Sequence, residues 1–201
     1  MLKKSLSKAQ RTRLFIVESM AEIFNKKGYA GTSMADVESI TRLSRGTIYH
    51  HFDNKESIAL AVFDYNFDRL CRLVDEQVEL STSFYEKLVV YAKVYQLIAT
   101  DGAVSGGSPI LNTASEADDT NILLRDKAIK AIKRNEFQIS KIIEMGIRTG
   151  EFRKNTDAQK IAISILSTLE GGLMIARATN DAERMQCITT SVEALVQSII
   201  N

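Results

Sequence analysis

From Leu14 to Ile199 the apolar residues recur at intervals of three and four, and one proline in 201 residues interrupts them. That period turns one face of a helix to a core, and no run alternates apolar and polar long enough to make a strand. The chain therefore reads as all-α, with about nine helices. Leu14, Val17, Ala21 and Phe24 make the inner face of a first helix over 8–27, which Gly28 ends. Thr32 and Ser33 cap a short helix over 33–40 whose inner face is Met34 and Val37, a turn covers 41–43, and Ser44 caps another short helix over 44–50. Asp53 with Glu56 predicts the start of a long helix over 54–80, and Ser83 with Glu86 a fifth reaching residue 100.

The stretch 101–109, DGAVSGGSP, is the clearest loop. A short helix follows over 110–117, then a long one over 119–149 with Asp118 and Asp119 at its start and Ile129, Ile132, Ile139 and Ile143 on one side, stopped by Gly150. Thr156 with Gln159 predicts the cap of a helix over 157–179, and 182–200 makes the last. No apolar run approaches the roughly 20 residues of a membrane span, and the basic start lacks a signal-peptide core. Cys71 and Cys187 are too few and too far apart for a disulfide framework or a thiolate metal site, and read as reduced thiols in a cytoplasmic protein.

A net charge of +1 hides an asymmetry. Residues 1–55 carry ten Lys/Arg, including Lys3, Lys4 and Lys55, against five acids, a net +5; the rest carries 16 against 20, a net −4. A small basic module joined to a larger acidic one expects a polyanion on the first alone. Within that module, two short helices joined by a three-residue turn and backed by a longer one have the layout of a helix-turn-helix, whose second helix enters the major groove N-terminus first. Ser44, Arg45, Gly46 and Thr47 occupy that end. Arg45 can fork onto guanine O6 and N7, Thr47 can meet a thymine methyl, and Tyr49, His50, His51 and Lys55 supply phosphate donors. His50 and His51 as a metal pair fail on geometry, because adjacent residues do not share a helix face, and the chain has no other histidine.

The run Ser44-Arg-Gly-Thr-Ile-Tyr-His-His-Phe52 followed by Lys55-Glu56 resembles the tetracycline-repressor (TetR) family of transcriptional regulators, as do Gly28-Tyr29-Ala-Gly-Thr32-Ser33 and Val37 before it. Gly150-Glu-Phe-Arg153 with Asp157 is similar to that family's entry into its dimerisation helices, and Gly107-Ser-Pro-Ile110 to a loop before the sixth helix. The resemblance implies a DNA-binding domain over 1–53 and a ligand-binding and dimerisation domain over 54–201. It implies that Thr32 and Ser33 hold phosphate at the second helix, that Ser44 caps the recognition helix, that Arg45 and Thr47 read or flank bases, that Tyr49, His51 and Lys55 clamp the backbone, and that Phe52 pins the head to the fourth helix. Glu38, where a small residue is usual, and Arg42, where glycine is usual, depart from the family pattern. A non-glycine residue at positive φ there costs about 1 kcal/mol.

In the remainder, Phe63, Phe67, Leu70, Tyr91, Tyr95, Gln96, Ile143 and Leu169 are candidates to line a mostly apolar effector cavity. Ile165, Leu169, Leu173, Ile188, Val192, Leu195 and Ile199 give the last two helices apolar faces that a two-fold mate would cover as a four-helix bundle. No nucleophile elbow, phosphate loop or Cys/His pair is present, so neither an enzyme nor a cofactor is expected. The function expected is a homodimeric repressor that a small amphipathic or aromatic molecule releases from a two-fold DNA operator. The alternatives are a DNA-binding protein answering to a protein partner or to no ligand, and, further off, an all-α enzyme.

Overall fold

The computed structural model describes residues 6–100 and 102–201; Lys3 and Lys4 of the basic head and Asp101 at the loop's start lie outside them. Nine helices form among the described residues: α1 (Lys8–Lys27), α2 (Met34–Thr41), α3 (Arg45–His51), α4 (Lys55–Leu80), α5 (Phe84–Thr100), α6 (Pro109–Ala117), α7 (Ile122–Thr149), α8 (Ala158–Ala178) and α9 (Glu183–Gln197). The only extended pairing among them is an isolated bridge between Phe152 and Ile200.

Caps decide where these helices begin, and three differ from the sequence expectation. Asn54, not Asp53, caps α4: its side chain accepts from the Ser57 N–H at 2.8 Å while Ser57 Oγ accepts from the Asn54 N–H at 3.3 Å. Asn121 caps α7, so Asp118 and Asp119 belong to the turn after α6 and not to the α7 N-terminus. Asp157 rather than Thr156 caps α8, accepting from Lys160 N at 3.0 Å. The buried stripe of α7 is also rotated: Leu124, Ala128, Ala131, Ile139 and Ile143 are inside, while Ile129 is exposed and Ile132 half-buried.

Two cores form. The head core gathers Ile16, Val17, Met20 and Phe24 of α1 with Val37, Ile48 and Phe52. It also takes Ile58, Ala59 and Val62 from α4, so head packing runs past residue 53. The body core takes the next turns of the same helix, Phe67, Leu70, Cys71 and Val74, against α5, α7, α8 and α9.

The Gly150–Arg153 segment ties the body together. Gly150 ends α7 at φ 82°, and the Glu151 carboxylate then accepts from the Phe84 and Tyr85 N–H groups at 2.9 and 2.6 Å, supplying α5 with a second anionic cap beside Glu86. Phe152 is fully buried against Gly146, and the Arg153 N–H and Nε donate to the Ile199 and Ile200 carbonyls at the C-terminal end.

Helix α8 corrects an expectation. Its mean hydropathy over 18 residues reaches 1.4, enough in length and composition to cross a membrane. Ile165, Leu166, Leu169 and Leu173 nevertheless sit in the body core, with Ile163, Met174 and Ile175 on the outer side. The helix is apolar on two faces, one of them spent within this chain.

A Cβ at Gly146 would lie 2.2 Å from the Phe152 ring, which has no room to retreat. Gly146→Ala is expected to cost about 1–3 kcal/mol in urea denaturation, as overpacking does. Adding Phe152→Leu should recover part of the loss; an unaltered midpoint for Gly146→Ala would show that the ring is not held.

Candidate nucleic-acid interface and its link to the body

The turn before the recognition helix holds Arg42 in the left-handed region, φ 56° and ψ 24°, as its place in a glycine-preferring turn implies. Its N–H closes α2 on the Glu38 carbonyl at 2.9 Å. Ser44 then caps α3: its Oγ accepts from the Thr47 N–H at 3.2 Å and shares a hydrogen bond with Thr47 Oγ1 at 2.8 Å. Ile48 plants the helix in the head core, and Arg13 locks its far end, lying 3.8 Å from the Phe52 ring centroid and donating to the His51 carbonyl. Phe52 is buried against α4, as expected.

What α3 leaves outward is Arg45, Gly46, Tyr49 and His50, with Thr47 and His51 half-buried beside them. Arg45 rests against Glu38, its Nε 3.4 Å from the carboxylate, in a pair 65% and 35% exposed. Exposed pairs are worth little, so the guanidinium can exchange Glu38 for a base edge. Glu38 is therefore the resting partner of the Arg45 guanidinium.

Three expected phosphate contacts take other partners. Thr32 is 1% exposed, and its hydroxyl donates to the Gly28 carbonyl at 2.7 Å, closing α1. Ser33 caps α2 jointly with Asp36, whose carboxylate accepts from the Ser33 hydroxyl at 2.6 Å and its N–H at 2.8 Å. Those hydrogen bonds, with Lys27 at 3.3 Å, hold the Asp36 carboxyl down at about 2, so an anion already occupies that helix start and a phosphate there meets like charge. Lys55 turns inward, donating to the Tyr29 and Thr32 carbonyls at 2.7 and 2.9 Å with its ammonium over the Tyr29 ring; one of its three N–H groups remains.

The head is fastened to the body by polar ties that the sequence did not reveal. Glu116 of α6 accepts from the Tyr29 and Ala30 N–H groups at 2.7 and 2.8 Å, and only glycine fits at position 28, where a Cβ would lie 2.5 Å from that carboxylate. Asn25 donates to the Ser105 and Gly107 carbonyls, Asn112 donates to the Asn25 and Gly106 carbonyls, and Asn66 of α4 donates to the Ala21 carbonyl. Beside these ties a cleft of about 650 Å³ opens between head and body, bordered by Phe24, Phe63, Met174 and Arg177.

Inside the body, a smaller cavity of about 100 Å³ lies between α4, α5 and α7. Leu70, Tyr91 and Tyr95 of the expected lining border it, joined by Cys71, Val74 and Asn135, with Asp75, Arg134 and Gln138 around it. Phe67, Ile143 and Leu169 are filled core, Phe63 borders the other cleft, and Gln96 faces α9, where it donates to Gln186 at 2.7 Å. The Tyr95 hydroxyl donates to Glu170 Oε1 at 2.6 Å, and Ser108, the N-cap of α6, donates to the same oxygen at 3.0 Å. Burial pushes the Glu170 carboxyl up and the Tyr95 hydroxyl well up, while Oε2 of Glu170 has no partner among the described residues.

The dimer face expected from the sequence is largely interior. Ile165, Leu169, Leu173, Val192 and Ile199 are buried in this chain's own core, and Ile188 and Leu195 are half-buried against it. Both faces of α8 are apolar, and periodicity could not say which one the monomer keeps.

Comparison with known proteins agrees with this geometry. Residues 16–62 match the family "Bacterial regulatory proteins, tetR family", and residues 85–192 match "Tetracyclin repressor-like, C-terminal domain". A TetR-family transcriptional regulator from Cytophaga hutchinsonii superimposes with a TM-score of 0.92 at 41% identity, over 98% of both chains. One from Chloroflexus aurantiacus does so at 0.92 and 33% identity, over 97% of this chain and 98% of that one. The HTH-type transcriptional regulator TtgR of Pseudomonas putida is 26% identical over 175 residues, 85% of this chain and 82% of its own.

A Cβ at Gly46 would meet nothing within 4 Å. Gly46→Ala should therefore leave stability unchanged or raise it by about 0.5–1 kcal/mol, since glycine is unfavourable within a helix. Its affinity for a preferred duplex should fall, because the added methyl meets only the groove. Arg45→Ala should cost about 1–3 kcal/mol on that duplex and relax base preference. Titration of both variants against selected and random duplexes checks this; affinities matching the parent would remove α3 from the interface.

Proposed function

The chain belongs to the tetracycline-repressor family and is a DNA-binding transcriptional regulator, and we propose that it is a homodimeric repressor that a small effector releases from a two-fold operator. It is not an enzyme; its family and relatives are regulators. The observation that carries the reading is the outward set on α3: Arg45, Gly46, Tyr49 and His50 face away from the head core, while the Thr32 and Ser33 hydroxyls are engaged within the head. Ser44 and Thr47 hold the start of that helix, His51 flanks its end, and Lys55 offers its remaining N–H to a phosphate. Such a regulator works where the genome is, and the cytoplasm is the compartment assigned.

Dimerisation is supported by the second apolar face of α8. Ile163, Met174 and Ile175 are 43%, 48% and 46% exposed on a helix whose opposite side is core. A two-fold mate covers such a face with its own copy and sets two heads at half-site spacing. Ile175→Glu leaves the monomer's core untouched, so the variant should fold. Sedimentation should show it as a monomer whose operator affinity collapses, because one head grips one half-site. A variant that still sediments as a dimer would move the interface off α8.

Effector response is supported by the chain of contacts from the body cavity to the head: Tyr95 to Glu170, Glu170 to Ser108, Ser108 at the start of α6, and Glu116 at its end on Tyr29 and Ala30. A ligand acts only by its different affinity for two head poses, typically about 1–3 kcal/mol of coupling. Glu116→Ala removes the tie between α6 and the head, and should reduce that coupling, leaving what α4 transmits, while effector affinity in the absence of DNA stays near the parent's. Calorimetry with and without operator measures both quantities; full coupling retained in Glu116→Ala would route the signal elsewhere.

A further inference from the structure

The cleft between head and body is bordered by three bases and one acid, and they are unevenly placed along α6. Glu116, the acid, stands at the C-terminal end of that helix and is already taken by the Tyr29 and Ala30 N–H groups. Lys26 and Lys27 are held in exposed pairs with Glu22 and Asp36. Arg177 is different: no carboxylate among the described residues pairs with its guanidinium. Its stem lies against Gly107, at φ 90°, where a Cβ would fall 2.7 Å from Cδ and Nε, so glycine makes the room that seats this arginine beside the start of α6. About 10 Å of helix separates Pro109 at that end from Glu116 at the other.

The rest of the lining is apolar where it is deepest. Phe24, Val62, Phe63 and Leu124 border the cleft and are buried, while Arg177 and Met174 stand exposed at its rim. A volume of about 650 Å³ falls within the roughly 300–1,000 Å³ of small-molecule sites, which the cavity of about 100 Å³ between α4, α5 and α7 does not reach. An apolar amine would meet the unpaired cation and find the lining's one acid engaged; a wholly apolar molecule would leave the guanidinium unused. A molecule with an apolar body and one carboxylate satisfies both ends, because arginine matches a carboxylate with two parallel hydrogen bonds. Resting on the reading of the chain as an effector-responsive regulator, we propose that this cleft binds an apolar carboxylate, its charged group held by Arg177 and its apolar part laid along α6 between Phe24 of the head and Phe63 of α4. Such an occupant lies against Asn25, Asn66 and Asn112, whose amides make the polar ties across the junction, so it favours one pose of the head over another.

The experiment uses the full-length protein and three probes with one tail: decanoate, decanol and decylammonium, each below its micelle concentration. Calorimetry should show decanoate binding at least about tenfold tighter than either of the others, the scale of one charge-assisted hydrogen-bonded contact. Arg177→Met keeps the stem against Gly107 and alters an exposed residue, so it should melt near the parent; decanoate should fall to the affinity of decanol, and decanol should be unmoved. Thr113→Trp puts an indole on the cleft side of α6 in a chain with no native tryptophan. Emission that shifts with decanoate, or decanoate binding lost in a variant that melts near the parent, places the ligand in the cleft. No decanoate binding, equal affinities for the three probes, an unchanged preference in Arg177→Met, or full binding with unmoved emission would each overturn the proposal. Decanoate bound with the expected selectivity, and dependent on Arg177, but without any shift in operator affinity would sustain the site and overturn the effector reading on which it rests.

Discussion

Helix α4 cannot move as part of one domain alone, and most of what this molecule can do follows from that. Its first turns bury Ile58, Ala59 and Val62 in the head, and later turns bury Phe67, Leu70, Cys71 and Val74 in the body. A 26-residue helix is about 39 Å long and bends only gently without a proline or a bulge, so it acts as a lever between the cores. Any change around Leu70 reaches Ile58 as rotation or translation of one rigid element. Ala117 of α6 and Leu124 of α7 add a smaller apolar contact from the body to the head core, and the other ties across the junction are polar.

Those polar ties make the head's pose adjustable. Apolar burial is lost gradually with area and is hard to exchange, whereas a hydrogen bond across a wet cleft can be replaced by water at a net cost of about 0.5–1.5 kcal/mol. The carboxylate of Glu116 and the amides of Asn25, Asn66 and Asn112 are of this kind, and they border the cleft of about 650 Å³. Breaking two or three of them matches the coupling of about 1–3 kcal/mol that effectors commonly exert. Gly28 and Gly106 allow the close approach: a Cβ at either would fall within 3 Å of Glu116 or Asn25. The junction is close-fitting, and much of its bonding is polar.

Local signals in the sequence were legible where a single residue decides the outcome. Ser44 and Gly150 end or begin helices through their own backbone and hydroxyl chemistry, and Arg42 adopts the left-handed turn its position implied. The outward face of α3 was legible because a seven-residue helix has room for only one buried anchor, Ile48. Choices between two chemically equivalent solutions were not legible. Asn54 and Asp53 are both good caps one residue apart, α8 is apolar on both sides, and Lys55 can satisfy its ammonium on carbonyls as well as on phosphate. The residues that border the small body cavity differ from the expected lining for a related reason: aromatic residues at helical spacing, such as Phe63 and Phe67 with ring centroids 6.1 Å apart, pack on one another, while Asn135, on the buried side of α7, borders the cavity.

The departure at Glu38 bears on specificity. An arginine facing the major groove binds any duplex through its charge, and a search among many wrong sites is slowed by each such contact. In this head Arg45 already has a carboxylate 3.4 Å away, so leaving it for a phosphate exchanges one single-point ionic contact for another. Leaving it for guanine exchanges that contact for two aligned hydrogen bonds at O6 and N7. The resting pair therefore subtracts from random and preferred binding alike, and only the bidentate contact exceeds it. Arg42, held at φ 56° one residue beyond α2, fixes how α3 follows from that helix and thus keeps Glu38 and Arg45 within reach of each other. The two residues that depart from the family pattern thus act on one side chain, the Arg45 guanidinium at the exposed start of α3.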